Sequence, residues 1–160
     1  MQASLGNIST RSFWNGICND YSKAQEKYLD SQLRLDSQFT PIAEELKKEY
    51  DLAILSNDVS EWSAYLRQKY DLNRFFKSII ISSDWGYRKP DSRSYRILLD
   101  SLKVPPSTCF FVDDSPRNLQ TAAELGMKTI GFQKQKTKSS FQPHYSIKSL
   151  DELLQIFKAH

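Results

Sequence analysis

From about residue 51 onward, short apolar runs alternate with amphipathic stretches of helical period, and few architectures accept that alternation. The runs are Leu52-Ala53-Ile54-Leu55, Ile79-Ile80-Ile81, Cys109-Phe110-Phe111-Val112 and Thr129-Ile130-Gly131-Phe132, with Tyr145-Ser146-Ile147 as a shorter fifth. Each is too short for a core helix and reads as a buried strand of a βαβ unit. The stretches between them carry one apolar stripe: Trp62, Tyr65, Leu66 and Tyr70; Tyr95, Leu98, Leu99 and Leu102; Leu119, Ala122, Ala123 and Leu125. The pattern predicts an α/β fold, a Rossmann-like parallel sheet flanked by helices.

Helix starts and stops are legible in the same region. Asp58 with Glu61, and Ser149 with Glu152, have capping-box spacing. Asp91 is placed to cap the helix bearing Tyr95, and Ser115-Pro116 opens one that stops at Gly126. The last helix carries Leu150, Leu153, Leu154 and Phe157. Residues 1 to about 50 read as helices only. Ser9 can cap a helix with Phe13, Trp14, Ile17, Cys18 and Tyr21, and a second passes through Tyr28, Leu29 and Leu33. Thr40-Pro41 reads as a cap followed by proline at the first helical position, ahead of Ile42, Ala43 and Leu46.

Composition bounds the function classes. With 39% hydrophobic and 26% charged residues, the 160-residue chain is ordinary for a globular protein. No apolar run is long enough to span a bilayer, and the first residues lack the basic start and apolar stretch of a secretory signal. Cys18 and Cys109 are far apart and outside any C-x-x-C spacing, which points away from a disulfide framework and toward a reducing, cytoplasmic setting. The net charge of +3 is small. Lys128, Lys134, Lys136 and Lys138 cluster without interleaved aromatics, so a solvated loop is expected there, with neither nucleic acid nor membrane as a partner.

Ligands of a parallel α/β sheet gather beyond the carboxyl ends of its strands, so the polar residues there are the ones to weigh. Ser56 and Asn57 follow the first run. Arg88, Lys89 and Pro90 come after the second, and Asp113, Asp114, Ser115 and Asn118 after the third. A hydroxyl, a cation and two adjacent carboxylates at one rim suit a phosphate ester and a divalent metal. Singly, Ser56 could cap a turn, Lys89 could be a surface lysine, and Asp114 or Ser115 could be a helix cap. Two adjacent acids behind an apolar strand are harder to dismiss, because like charges so close call for a cation.

These segments resemble three motifs of the haloacid dehalogenase-like (HAD) hydrolase superfamily. Leu55-Ser56-Asn57 is similar to its second motif, Arg88-Lys89-Pro90-Asp91 to its third, and Phe111 through Leu119, with Asp113-Asp114, to its fourth. Order and spacing match from about residue 40 to 157. The resemblance implies a HAD-like core over residues 39–160 and a partial α-helical cap over residues 1–38, where Trp14, Tyr21 and Tyr28 are expected to pack within the cap. It implies a Mg2+-dependent phosphohydrolase acting on a small phosphorylated metabolite through an aspartyl-phosphate. Ser56 and Lys89 would bind the transferring phosphoryl group, helped by Asn57. Asp113 and Asp114 would hold Mg2+, and Ser115 and Asn118 would support them.

One element of the family pattern is missing. The resemblance implies a first strand ending in Asp-x-Asp, nucleophile and general acid/base, and no Asp-x-Asp occurs in the 160 residues. The chain is therefore expected to begin inside the cap, to bind Mg2+ weakly, and to be weakly active or inactive. The resemblance places that strand between those at 52–55 and 109–112, so two facing edges are expected to lack a partner, inviting self-association or strand complementation. A non-catalytic HAD-like remnant or interaction domain is the alternative. A response-regulator receiver, which also groups acids with a hydroxyl and a lysine, fits less well because its acid pair comes first rather than last.

Overall fold

A computed structural model describes residues 2–14, 20–132 and 139–159. Cys18, Lys134, Lys136 and Lys138 lie outside the described residues, as do the side chains of Phe13 and Tyr21. Helices α1 (Thr10–Trp14), α2 (Tyr21–Gln32) and α3 (Phe39–Leu46) precede the first strand. Then follow β1 (Leu52–Ser56), α4 (Ser60–Lys69), β2 (Phe76–Ile81), α5 (Ser82–Trp85) and α6 (Ser92–Leu102). The order ends with β3 (Phe110–Asp113), α7 (Pro116–Glu124), β4 (Lys128–Phe132), β5 (Tyr145–Ile147) and α8 (Glu152–Lys158). Among the described residues no helix is long and apolar enough to cross a membrane.

Among the described residues all strand pairings are parallel, as the alternating pattern predicts, but they form two sheets rather than one. β1 pairs with β2, and β3 pairs with β4, which pairs with β5. Between β1 and β3 lies an apolar groove of about 490 Å³. Two core clusters flank it. One holds Leu55, Tyr95, Leu98, Phe111, Leu119 and Met127; the other holds Ile42, Ile130, Ile147 and Leu153. Val112, on β3 beside the groove, is left 38% exposed, where a strand inside a parallel sheet would have both faces covered.

Local chemistry explains where elements begin. Asp91 caps α6 through its carboxylate, which accepts the Arg93 amide at 3.0 Å, as its spacing predicts. Ser9 accepts the Ser12 amide at 3.1 Å ahead of α1. Pro116 stands at the start of α7, where its missing N–H leaves nothing unpaired, and Gly126 takes φ +94° behind it.

Three expected caps are corrected. α4 begins at Ser60, so Asp58 is not its cap. The Asp58 carboxylate accepts the Val59 amide, and the Ser60 amide is taken instead by Ser83 Oγ, from a distant helix, at 2.9 Å. α3 begins at Phe39, placing Pro41 inside the first turn rather than at its first residue. α8 begins only at Glu152. Glu152 still reaches back, its carboxylate accepting the amides of Lys148 and Ser149 at 3.0 and 3.1 Å.

The N-terminal segment is tied to the core at α5. Ser82 Oγ donates to the Ser4 carbonyl at 2.5 Å, and Gly6 sits at φ +74° with its α-carbon facing the Ser83 carbonyl oxygen, into which a Cβ would collide. Gly6→Ala is therefore expected to cost about 1–2 kcal/mol from the left-handed backbone alone. It should also speed proteolysis within residues 2–8, measured against the wild-type chain at equal urea. α2 docks on α4 through the Tyr28 and Trp62 rings, 5.9 Å apart, and through Asp30, which accepts from Tyr65 Oη at 2.9 Å and pairs with Lys69. Trp14 stands edge-on to Tyr28 at 6.1 Å.

Candidate functional site

The carboxyl ends of β1 and β3 meet at one rim of the groove, joined through the segment that follows α5. Asn57, one residue beyond β1, clasps the backbone of Lys89: its Nδ2 donates to the Lys89 carbonyl at 2.9 Å, and its Oδ1 accepts the Lys89 amide at 2.7 Å. The clasp fixes the backbone just before the cis Lys89–Pro90 peptide. From there the Lys89 side chain extends to Asp113, the last residue of β3, with Nζ 2.7 Å from Oδ2. The Lys89 stem also passes over the Phe111 ring, Nζ lying 5.5 Å from its centroid.

Asp113 is saturated on its other oxygen. Oδ1 accepts the Ser115 amide at 2.8 Å and Asn118 Nδ2 at 2.9 Å. Asn118 is held in turn by Tyr95, whose hydroxyl donates to the Asn118 carbonyl at 2.9 Å. The two charged side chains are only 13% (Lys89) and 5% (Asp113) exposed, so the pair lies in a poorly solvated environment. Burial, and after it the charge of Asp113, push the Tyr95 phenol well above its usual range. Burial also raises the Asp58 carboxyl, against a smaller opposing effect of the Val59 amide.

Thus Asn57, Lys89, Asp113, Ser115 and Asn118, all singled out in the sequence, form one connected network. Ser56 is half-buried at the end of β1, one residue before Asn57, but takes no part in it. Asp114 is exposed just beyond β3, beside Asp113. Tyr95 was read from the sequence only as part of an apolar stripe. Its hydroxyl partner lies 23 residues away, and no local signal announces it.

The donor set can be set against what Mg2+ requires. Mg2+ commonly binds through one or two carboxylates, filling its octahedron with water and phosphate oxygens. Asp114, open to solvent, offers one such carboxylate, whereas Asp113, with Oδ1 saturated, offers only the lone pair of Oδ2 that Lys89 leaves free. Among the described residues there is no group of three or more His, Cys, Asp or Glu to build a fuller cage, so the fit is to a loosely held, mostly hydrated ion.

The fold, with paired acids, a lysine and a strand-end hydroxyl at one rim, is that of a hydrolase domain of the HAD type. The chain belongs to the haloacid dehalogenase-like hydrolase family, whose model matches residues 3–132. It is 33% identical over 88 residues to bifunctional epoxide hydrolase 2 of Mus musculus, a match covering 52% of this chain and 16% of that protein. The match thus spans a small part of that relative's length. Among solved structures it is similar to a HAD-family enzyme of Bacteroides thetaiotaomicron crystallised with magnesium and inorganic phosphate, with TM-score 0.75 and 19% identity over 86% of this chain and 77% of that one. It is also similar to a 2-haloacid dehalogenase of Pseudomonas syringae, with TM-score 0.73 and 22% identity over 87% of this chain and 60% of that one. At these identities the likeness establishes the fold and leaves the chemistry to the residues at the rim.

Proposed function

We propose that this chain carries the phosphate-anchoring part of a Mg2+-dependent phosphohydrolase site, for a small phosphorylated metabolite. The observation that carries the reading is the buried Lys89–Asp113 pair held at the common rim by Asn57, Ser115 and Asn118. A lysine ammonium has three N–H donors, and Asp113 engages one of them. The other two can donate to phosphate oxygens, with the Ser56 hydroxyl donating from the end of β1. Asn57 acts on Lys89 alone, fixing the backbone from which the amino group reaches. Asp113 and Asp114 would hold Mg2+, which when bound supplies positive charge to offset that of the phosphate. A site with two carboxylates and one lysine suits a dianionic ester with a metal better than a haloacid without one.

The nucleophile that the family resemblance implies is not among these 160 residues, since no Asp-x-Asp occurs in them. Binding of a phosphate ester, rather than rapid turnover, is therefore the property expected of the chain by itself. Equilibrium dialysis with p-nitrophenyl phosphate tests this. Binding that requires Mg2+ and is competed by inorganic phosphate supports the reading, whereas binding of 2-chloropropionate in its place would assign the rim to dehalogenation. The missing motif also favours a second reading, a non-catalytic HAD-like domain. Mg2+-dependent hydrolysis of p-nitrophenyl phosphate by this chain, abolished by Asp114→Ala, would refute that second reading.

A further inference from the structure

The segment from Arg88 to Arg93 carries three cations, Arg88, Lys89 and Arg93. Two of them are paired. Lys89 meets Asp113, and Arg93 forms a fork on Asp91, with Nε 3.0 Å from one carboxylate oxygen and Nη2 2.6 Å from the other. Arg93 also lies over the Tyr87 ring, 4.0 Å from its centroid. Asp84, on α5, accepts from the Ser60 hydroxyl. The acids and the ring nearest to Arg88 along the chain are thus engaged elsewhere.

Arg88 itself is half-buried, and its Nε is enclosed with no hydrogen-bond partner. Among the described residues its guanidinium forms no ion pair. A guanidinium cannot shed its proton to escape that position, so an enclosed N–H without an acceptor destabilises the chain. Such groups are rare in native proteins. At the edge of an anion site, an acceptor brought by the ligand removes the penalty, and a planar oxyanion is the partner that the guanidinium fork matches best.

The backbone at Arg88 is held as firmly as that at Lys89. The N–H that Asn57 Oδ1 accepts belongs to the Arg88–Lys89 peptide, and the Arg88 carbonyl accepts the Asp91 amide at 2.8 Å. Adjacent α-carbons are about 3.8 Å apart, so Arg88 starts beside the lysine that would anchor phosphate. It nevertheless pairs with neither Asp113 nor Asp114, and so stands off the centre where Lys89 and those acids would hold phosphate and Mg2+. Position, charge and missing acceptor together fit a second anionic group on the same ligand. We infer that Arg88 sets the specificity of the rim: the phosphorylated substrate carries a second oxyanion, a carboxylate or another phosphate, which the Arg88 guanidinium binds. The inference rests on the reading of Lys89 as the phosphate anchor.

The probes are alkylphosphonates, which resist hydrolysis, with two, three or four methylenes between the phosphonate and the far end. That end is a carboxylate, a second phosphonate or a methyl group. Binding to the full chain in the presence of Mg2+ is followed by calorimetry. At the length that spans Lys89 and Arg88, a doubly anionic probe should bind about 10–100-fold more tightly than its methyl counterpart, the equivalent of one charged hydrogen bond. That advantage should be lost in Arg88→Gln and partly kept in Arg88→Lys, which retains the charge without the fork. Arg74→Gln, at an arginine paired with Glu44 and Asp71, should keep the whole of it. A purely structural role for Arg88 would weaken methyl and anionic probes alike and leave their ratio unchanged. The far end whose advantage Arg88→Gln removes, carboxylate or phosphonate, names the second group. No preference for a doubly anionic probe at any length would overturn the inference, as would a preference that survives in Arg88→Gln. Where inorganic phosphate still binds and depends on Lys89, those results remove the inference alone. Where inorganic phosphate does not bind, the anchor reading fails and the inference falls with it.

Discussion

Asp113→Ala is expected to lower the unfolding free energy by about 3–5 kcal/mol, the range found when one partner of a buried ion pair is removed. The magnitude follows from burial. With Lys89 only 13% and Asp113 only 5% exposed, water cannot replace the lost carboxylate at the lysine. The substitution also strips the Ser115 amide and Asn118 Nδ2 of their common acceptor. Asp113→Asn keeps that acceptor and removes the charge, so it should cost less. Lys89→Met should cost less as well, because Asp113 retains two donors. Combining Asp113→Leu with Lys89→Met leaves no unpaired charge and should be milder than Asp113→Ala alone. Urea unfolding followed by tryptophan fluorescence measures all four. A loss below about 1 kcal/mol for Asp113→Ala would mean that the pair is screened like a surface ion pair.

Tyr95→Ala should be comparably severe, costing about 3–5 kcal/mol as large aromatic truncations in cores do. Tyr95 is fully buried, packs against Phe111 with ring centroids 5.2 Å apart, and holds the Asn118 carbonyl. Tyr95→Phe keeps the ring and loses the hydrogen bond, a change worth about 1–3 kcal/mol with the carbonyl left buried. The phenylalanine variant also has a pH signature. Because burial and Asp113 raise the Tyr95 phenol in the folded state, the folded chain keeps that proton at pH values where the unfolded chain has lost it. Stability from this group is therefore whole below about pH 10, the ordinary tyrosine value, and declines as pH rises above it. The difference in stability between the wild-type chain and Tyr95→Phe should shrink over that alkaline range. A difference that stays constant would show that the phenol is not held as described.

The sequence displayed the sheet more clearly than the site. Ile79-Ile80-Ile81 announces β2 because three β-branched apolar residues fit little else, but Phe76-Lys77-Ser78 is part of the same strand and mixes polar with apolar. Its pairing with Leu52 and Ala53, register shift included, decides that extension, and pairing is non-local. Caps divide the same way. Asp91 is legible because it acts on its own helix, whereas the cap of α4 is illegible because Ser83 arrives from another element. At the rim, residue types and order pointed to Lys89, Asp113, Ser115 and Asn118. That Asn57 binds the Lys89 backbone, and that Tyr95 holds Asn118, required the fold. The family resemblance implies a central strand between β1 and β3, and among the described residues no strand pairs with either edge there. That the two sheets stay apart rather than closing is a property of the three-dimensional packing.

Titration of inorganic phosphate in the presence of Mg2+ tests most directly whether Lys89 is the phosphate anchor. Calorimetry should show one saturable site in the wild-type chain, weakened about 10–100-fold in Lys89→Met, the equivalent of losing a charged hydrogen bond of about 1.5–3 kcal/mol. Lys77→Met, at a lysine paired with Asp51 away from the rim, should leave it unchanged. Phosphate binding equal in Lys89→Met and wild type would contradict the account.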